Sequence, residues 1–304
     1  MTSITKKPDI PIAGFLFTLL GAVLFSTKAI IVKKAFAETP VDALTLLTIR
    51  MAFSLPFFLG IAIISSNKKE NTRLTKQQWI YISIVGIFGY YFSSLFDFIG
   101  LQYVSAGLER LILFLYPTFT ILINAFVFRQ KISRVQQLAL ALTYTGIATA
   151  YIGELQLDVH DPLFLWGSFL IFLCSITYAI YIVGSGRIIP VVGPTKFTAF
   201  AMLAATAGIF THFLVAGNYH TLSFGSGSWY YGVTLAIVAT VIPAFLISNG
   251  LKRIGSNNVA IISGIGPVST IIQAHFILGE PIFIAQLIGT SLVILGVLLI
   301  GWKR

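Results

Sequence analysis

Five charged side chains interrupt stretches of the sequence that are otherwise long and apolar. A charge at the centre of a bilayer costs about 2.5 to 3.5 kcal/mol on insertion scales, so each of these residues requires an explanation. Ammonium and guanidinium groups bind anions, and a buried carboxyl group can carry a proton. Because three cations face two carboxylates, we predict a polar network that lines the outer half of a central cavity and favours an anionic substrate group. Its members are Lys28, Arg50, Asp97, Glu109 and Arg110.

Each of these charges also has an explanation without a substrate. Lys28 and Asp97 lie near predicted helix ends, where a charged side chain can reach the membrane interface. Arg50 and the Glu109–Arg110 pair lie deeper, and a structural salt bridge would also account for them. If the function involves proton movement, Glu109 is the first candidate for the coupling carboxylate and Asp97 is the second.

Bulky polar side chains recur at helical spacing near these charges. Lipid does not favour polar atoms, so we predict that these side chains face the cavity. His275 could relay a proton, or it could simply be hydrogen-bonded. Pro117 and Pro267 each remove a helix hydrogen bond, which predicts either a hinge or a static kink at each position. The bulky polar residues are Tyr90, Tyr116, Asn124, Tyr178 and Gln273.

The composition excludes a soluble enzyme. The chain has 304 residues, of which 57% are hydrophobic and 10% are charged, whereas soluble domains carry about 25% charged residues. The net charge of +10 is expected on the cytoplasmic side of a membrane protein and does not indicate a nucleic-acid partner. The one cysteine, Cys174, allows no internal disulfide, and its neighbours show no metal-ligand spacing. The sequence has no GxxxxGK[ST] phosphate loop and no HExxH or GxSxG motif, so we expect no cofactor, no metal and no built-in ATP hydrolysis.

The apolar runs predict an all-α integral membrane protein with ten transmembrane helices. A bilayer core about 30 Å thick requires roughly 20 apolar residues per helix. Barrel strands need only about 10 alternating residues, and most of these runs are longer and more uniformly apolar. The predicted spans are 12–32, 43–64, 79–98, 106–128 and 135–152, followed by 163–183, 197–216, 229–249, 259–278 and 282–302.

The loop charges predict the orientation in the membrane. With a cytoplasmic N-terminus, the inner segments hold fifteen basic residues and the outer loops hold two, Lys33 and Lys34. Basic residues are concentrated in cytoplasmic loops. We therefore predict a multi-pass protein of the cytoplasmic (inner) membrane with both termini in the cytoplasm.

The chain contains an internal repeat at an offset of 150 residues. This shift aligns Pro117 with Pro267 and Gln136 with Gln286 without a gap. The offset divides the chain into a first five-helix unit, residues 1–152, and a second unit, residues 163–304.

Five helices per unit make the second copy enter the membrane upside down. The loop charges agree, because residues 129–131 are basic and predicted inside, whereas the equivalent residues 279–281 carry no basic residue and are predicted outside. Inverted repeats of this kind are typical of transporters that bind substrate near the bilayer midplane.

The 5+5 inverted repeat resembles the drug/metabolite transporter superfamily, in particular the EamA family. One departure is Arg129-Gln130-Lys131, where a Gly-Glu pair would be usual. The resemblance covers nearly the whole chain and implies the fold and transport, but not the substrate. The residues that carry it are Arg50, Val104-Ser105-Ala106-Gly107, Leu115-Tyr116-Pro117, Gly266-Pro267, Leu278-Gly279-Glu280-Pro281, Gly289 and Gly296.

Together these patterns predict a secondary transporter that exports amino acids or related zwitterionic or anionic metabolites by alternating access. Its partners would be a small-molecule substrate and the lipid bilayer, with proton or exchange coupling, and it would be a monomer or a homodimer. Two alternatives remain. One is an intramembrane enzyme that uses Glu109 and His275 as an acid/base pair, and the other is a membrane sensor that does not transport.

Overall fold

The protein is helical throughout the part of the chain that the structure describes. This computed structural model describes residues 12–66, 74–129, 134–158, 163–222 and 227–302, and no strand occurs within these ranges. The helices are α1 (Ile12–Glu38), α2 (Ala43–Ser66), α3 (Lys76–Gly86), α4 (Ser93–Gly100), α5 (Ala106–Leu113), α6 (Tyr116–Phe128), α7 (Arg134–Asp158), α8 (Phe164–Val192), α9 (Pro194–Ala216), α10 (Ser228–Ala236), α11 (Ile242–Ile262), α12 (Ile265–Gln273) and α13 (Ile284–Trp302).

Long apolar helices agree with an integral membrane protein. Seven helices among the described residues are long and apolar enough to cross a bilayer, and the two shorter apolar helices are Ile265–Leu278 and Ile284–Gly296. In lipid every backbone group must be bonded within the protein, and a helix satisfies this within its own segment. The all-α membrane class is therefore confirmed, while the count of ten spans stays a prediction.

Several helices extend past their predicted ends. The sixth predicted span ends at residue 183, but α8 continues through Gly184–Gly186 to Val192. The predicted loop between residues 249 and 259 is helical and belongs to α11. Glycine and polar residues disfavour a helix only mildly, by about 1 kcal/mol or less per residue. Loop charge therefore indicates where a chain meets water, and it does not indicate where a helix ends.

Interrupted helices occur at positions related by the repeat offset. Wider π-helical turns cover Ile87–Phe92 and Ile237–Val241, which begin 150 residues apart. The turn at residues 114–115 separates α5 from α6, and the turn at residues 263–264 separates α11 from α12. Pro117 and Pro267 follow these two breaks, each in the first turn of the new helix. Proline is well tolerated there because its missing N–H has no helical partner in any case.

The α7 and α13 helices pack against each other along their lengths. A side-chain carbon on Gly146 would meet the backbone carbonyl of Gly289, and one on Gly289 would meet that of Gly146. Small residues allow such close approach of helices in membranes. The glycines of the sequence motif thus serve this helix pair.

Candidate functional site

A cavity of about 390 Å³ lies between the two halves of the chain. We call it the central cavity. Its wall is formed by residues of α1, α2, α4, α5, α6, α8, α9, α11 and α12, together with both π-helical turns described above. The volume falls within the usual range of small-molecule sites, about 300 to 1,000 Å³.

Lys28 joins two buried carboxylates at one end of the central cavity. Its ammonium lies 2.7 Å from Asp97 Oδ2 and 3.8 Å from Glu109 Oε1. Asp97 and Glu109 are completely buried, and Lys28 is 6% exposed. Lys28 lines the cavity, whereas neither carboxylate does. The interpretation of Lys28 and Asp97 as interfacial residues is therefore wrong, because the two side chains pair with each other in the interior.

Arg50 and Arg110 line the same end of the cavity, and each donates to a serine. Arg50 Nη2 donates to Ser94 Oγ at 3.0 Å, and Arg110 Nη2 donates to Ser26 Oγ at 3.0 Å. Arg50 is 3% exposed and Arg110 is 5% exposed. Arg50 Nε has no hydrogen-bond partner among the described residues. Neither arginine forms an ion pair with an acid in the described ranges. Both can therefore offer donors to an anion.

Ser26 connects the two halves of the chain beside Arg110. Its hydroxyl oxygen accepts from Arg110 and lies 2.8 Å from the backbone carbonyl of Ala22 and 3.2 Å from that of Gly266, which share its single proton. The backbone at Gly266 lies close to Arg110, since a side-chain carbon there would lie 3.6 Å from Nε. The motif Gly266-Pro267 therefore places the start of α12 against the cationic end of the cavity.

Tyrosine side chains form one wall of the cavity. The Tyr90 and Tyr181 hydroxyl groups are 3.0 Å apart. The Tyr116 and Tyr178 rings meet edge to face with centroids 5.0 Å apart, and Tyr178 stacks on Tyr181 at 5.8 Å. Aromatic contacts of this kind hold the rings in fixed orientations. The wall is thus apolar in area but carries phenol groups.

The helix interruptions converge on the central cavity. The π-helical turns Ile87–Phe92 and Ile237–Val241 and both breaks contribute residues to its wall, whereas a third π-helical turn, Ala274–Leu278, contributes none. Such π-helical turns are frequent at functional sites. The repeat-related positions of these irregularities place equivalent backbone features on both sides of the cavity. The wall residues concerned are Gly89, Tyr90, Leu113, Phe114, Ala239, Thr240 and Ser263.

The cavity reaches the protein surface at the C-terminal end of α8. Gly186 and Pro190 line the cavity and are exposed. A side-chain carbon on Gly186 would contact nothing. Pro194, at the start of α9, lines the same opening.

Beyond the cationic end of the cavity, toward the C-terminal end of α1 and the start of α5, polar contacts join segments distant in sequence. The Glu280 carboxylate accepts hydrogen bonds from the backbone N–H groups of Ala106 at 3.0 Å and Gly107 at 3.4 Å. Lys33 Nζ donates to the backbone carbonyl of Val104 at 2.9 Å. We call this set of contacts the closure.

A further contact at this end joins α1 to α10. The Tyr231 hydroxyl group donates to the Glu38 carboxylate, which also pairs with Lys34 at 3.6 Å.

Comparison with protein families assigns the chain to a transporter family. The model of the EamA-like transporter family matches residues 12–152 and again residues 165–302. The chain belongs to this family.

Three relatives of this EamA chain match most of its length. An uncharacterized transporter, YcbK of Bacillus subtilis, is 32% identical over 91% of this chain and 89% of its own length. An uncharacterized transporter of Archaeoglobus fulgidus is 22% identical over 94% and 95%. The uncharacterized inner membrane transporter YicL of Salmonella typhimurium is 23% identical over 95% of each chain.

A solved crystal structure shows the same fold as this EamA chain. It is 18% identical, has a TM-score of 0.67, and covers 94% of this chain and 95% of its own. At this identity the likeness concerns the fold alone.

Most of the candidate site residues that the sequence predicts for this EamA chain come together in the structure. Tyr90, Tyr116 and Tyr178 line the cavity with the three cations. Asn124 and Gln273 do not, and both are half-buried. The prediction that these two side chains face the cavity is wrong. For Asn124, the break at residues 114–115 interrupts the helical spacing from Arg110 that predicted its position.

His275 lies apart from the charged network. It is exposed, and its Nδ1 lies 2.9 Å from the backbone carbonyl of Glu280. It is therefore hydrogen-bonded near the closure and is not placed beside Glu109.

The sequence did not single out Tyr181, Ser26 or Glu280 as functional residues. Tyr181 lies one helical turn from Tyr178, and this spacing was a signal that could have found it. Glu280 belongs to the motif Leu278-Gly279-Glu280-Pro281, but nothing in the sequence indicated that it binds the first turn of α5.

Proposed function

We propose that the protein is a secondary active transporter that exports small metabolites with a carboxylate or other anionic group by alternating access. The single observation that carries the proposal is the cavity with three buried cations at one end, Lys28, Arg50 and Arg110. A buried cation without a counter-ion is costly, and an anionic substrate supplies the counter-ion when it binds. Amino acids and related zwitterionic or anionic metabolites belong to this broad class.

Alternating access requires two arrangements of similar energy. The inverted repeat supports this requirement, because exchanging the conformations of two related halves moves the opening from one side to the other. With the orientation predicted from the loop charges, the opening at Gly186 faces the cytoplasm and the closure at Glu280 faces outward. The structure then corresponds to the inward-facing state. The breaks before Pro117 and Pro267 are the proposed hinges.

Proton coupling is proposed at Glu109, with Asp97 as the second candidate. The two carboxylates share Lys28. A proton on Glu109 would leave Lys28 paired with Asp97 alone and would increase the positive charge beside the cavity. This change would strengthen the binding of an anion, so the proton and the substrate would leave together and export would run down the gradient of the substrate. His275 is not part of this proposal, because its exposed position separates it from the pair.

The membrane location follows the same argument. The relative YicL is described as an inner membrane transporter, and we propose the inner membrane for this chain with both termini in the cytoplasm. The enzyme alternative has less support, because Glu109 is buried against Lys28 while His275 bonds to the Glu280 carbonyl.

Solute flux in liposomes tests the proposed function. Purified protein is placed in liposomes loaded with a mixture of amino acids and organic acids, and the solutes that leave under a pH gradient are measured by mass spectrometry. We expect gradient-dependent flux of at least one anionic or zwitterionic solute. Chemical conversion of a solute without flux would support an enzyme, and binding without flux would support a sensor.

The Glu109→Gln variant tests the coupling. Glutamine keeps the shape of the side chain and cannot exchange a proton at neutral pH, so we expect flux that no longer depends on the pH gradient. Glu38→Gln is the matched control, since that carboxylate lies near the protein surface at the closed end and outside the cavity. Wild-type pH dependence in Glu109→Gln would remove Glu109 from the coupling.

A further inference from the structure

We propose that the substrate is a monocarboxylate with a flat aromatic body and without a cationic group. This inference rests on the proposed function and narrows its substrate class. The argument depends on three features of the central cavity, namely its charge, the position of its acids and the shape of its aromatic wall.

The charge of the site exceeds neutrality by one positive unit. Lys28, Arg50 and Arg110 are cations, and Asp97 and Glu109 are the two carboxylates beside them. Both carboxylates pair with Lys28, so the two guanidinium groups retain serine hydroxyls as their side-chain oxygen partners. A single carboxylate would neutralise the excess and could accept hydrogen bonds from both arginines. A proton on Glu109 would only increase the excess.

The acids lie where a bound ammonium group could not reach them. None of the described residues that line the cavity is acidic. Asp97 and Glu109 are completely buried and are paired with Lys28. An amino acid in the cavity would therefore place its ammonium group near three cations, with no carboxylate in the described wall to neutralise it. Like charges in a site of low dielectric repel strongly, so the site favours the carboxylate without the amine.

The tyrosine wall favours a flat ligand. Tyr116, Tyr178 and Tyr181 present rings in fixed mutual orientation beside the cationic end. The Phe25 ring already lies 5.4 Å from both Lys28 Nζ and the Arg110 guanidinium carbon. A planar substrate ring could stack on the tyrosines while its carboxylate reaches the arginines. Stacking on fixed rings adds to the affinity that the burial of apolar area provides.

Four compounds of related size separate these requirements. The purified protein in nanodiscs is titrated by calorimetry with 3-phenylpropanoate, L-phenylalanine, 2-phenylethylamine and hexanoate. The first three share a ring and a two-carbon chain and differ in charged groups, and hexanoate keeps the carboxylate without the ring. We expect 3-phenylpropanoate to bind at least about tenfold more tightly than phenylalanine or hexanoate, and the amine not to bind. Equal or tighter binding of phenylalanine, the amine or hexanoate, or no binding of 3-phenylpropanoate at millimolar concentration, would overturn the proposal.

The Arg110→Lys variant tests the carboxylate contact without removing the positive charge. Lysine loses the two-pronged guanidinium geometry, so we expect about tenfold weaker binding of 3-phenylpropanoate. Arg187→Gln is the matched control, because this arginine is exposed in α8 and does not line the cavity. Since Arg110→Lys could fail to fold, Tyr178→Leu provides a second test, in which the preference for 3-phenylpropanoate over hexanoate should fall. Unchanged binding in a folded Arg110→Lys, or an unchanged preference in Tyr178→Leu, contradicts the inference.

Flux measurements separate this inference from the proposed function. Binding of 3-phenylpropanoate without flux of any solute would contradict the transport function and would still support the proposed ligand class. Gradient-driven flux of amino acids without binding of 3-phenylpropanoate would contradict the proposed ligand class and would still support the transport function.

Discussion

Glu280 joins the two halves of the chain at the closure, and Glu280→Gln tests that role. Its carboxylate accepts hydrogen bonds from the backbone N–H groups of Ala106 and Gly107, in the first turn of α5. Backbone N–H groups there lack helical partners, and the helix dipole favours a negative charge at this end. Glutamine keeps the length of the side chain and one acceptor oxygen, but it removes the charge.

The expected size of the effect follows from these bonds. A hydrogen bond to a charged group contributes about 1.5 to 3 kcal/mol, and a neutral bond contributes about 0.5 to 1.5 kcal/mol. Because the outward-open arrangement would lack both bonds, Glu280→Gln should destabilise the closed arrangement alone, by about 1 to 2 kcal/mol. The population that is open at this end should rise about 5- to 30-fold.

Thiol labelling measures that population. In a Cys174→Ser background, Val104→Cys places a reporter at the closure, where Val104 is 1% exposed. A membrane-impermeant maleimide added to the predicted outer face should label it about 5- to 30-fold faster in Glu280→Gln. Pro281→Ala is the control, since this neighbour is exposed. An unchanged rate in Glu280→Gln, or an equal increase in Pro281→Ala, refutes the role of Glu280.

Two further predictions concern the ion network and the topology. Lys28→Met leaves Asp97 and Glu109 without their cation, so we expect a loss of about 3 to 5 kcal/mol of stability, seen as a lower midpoint of thermal unfolding in detergent and partly recovered by adding Asp97→Asn. A midpoint equal to that of the parent would contradict the observed pairing. Single cysteines at Lys131, which lies outside the described residues, and at Pro281 should react from opposite sides of the membrane, because the repeat inverts equivalent loops. Labelling of both from one side would rule out the inverted topology.

The charged network could be predicted from the sequence because its members are costly in lipid. An isolated charge in an apolar run requires a partner, so Lys28, Asp97 and Glu109 could be grouped before any geometry was known. Their arrangement could not be predicted in the same way. Residue type does not reveal that the carboxylates lie behind Lys28 and outside the cavity wall, since this depends on how four helices pack.

The error at Asn124 arises where a helix is interrupted. Helical spacing places residues on one face only while the helix is continuous. The break at residues 114–115 separates Arg110 from Asn124, so a common line through both residues has no physical meaning. Tyr90 lies inside a π-helical turn and lines the cavity, as does Ser94 four residues later.

The pairing of α7 with α13 also bears on how new specificities arise in this fold. Neither helix contributes a described residue to the cavity wall. The contact of Gly146 with Gly289 leaves no room for larger side chains there. We therefore expect substitutions at this glycine pair to change the yield of folded protein, and substitutions at wall residues to change the ligand. Members of the family can thus differ in ligand through substitutions of wall residues alone, while the α7–α13 pair stays the same.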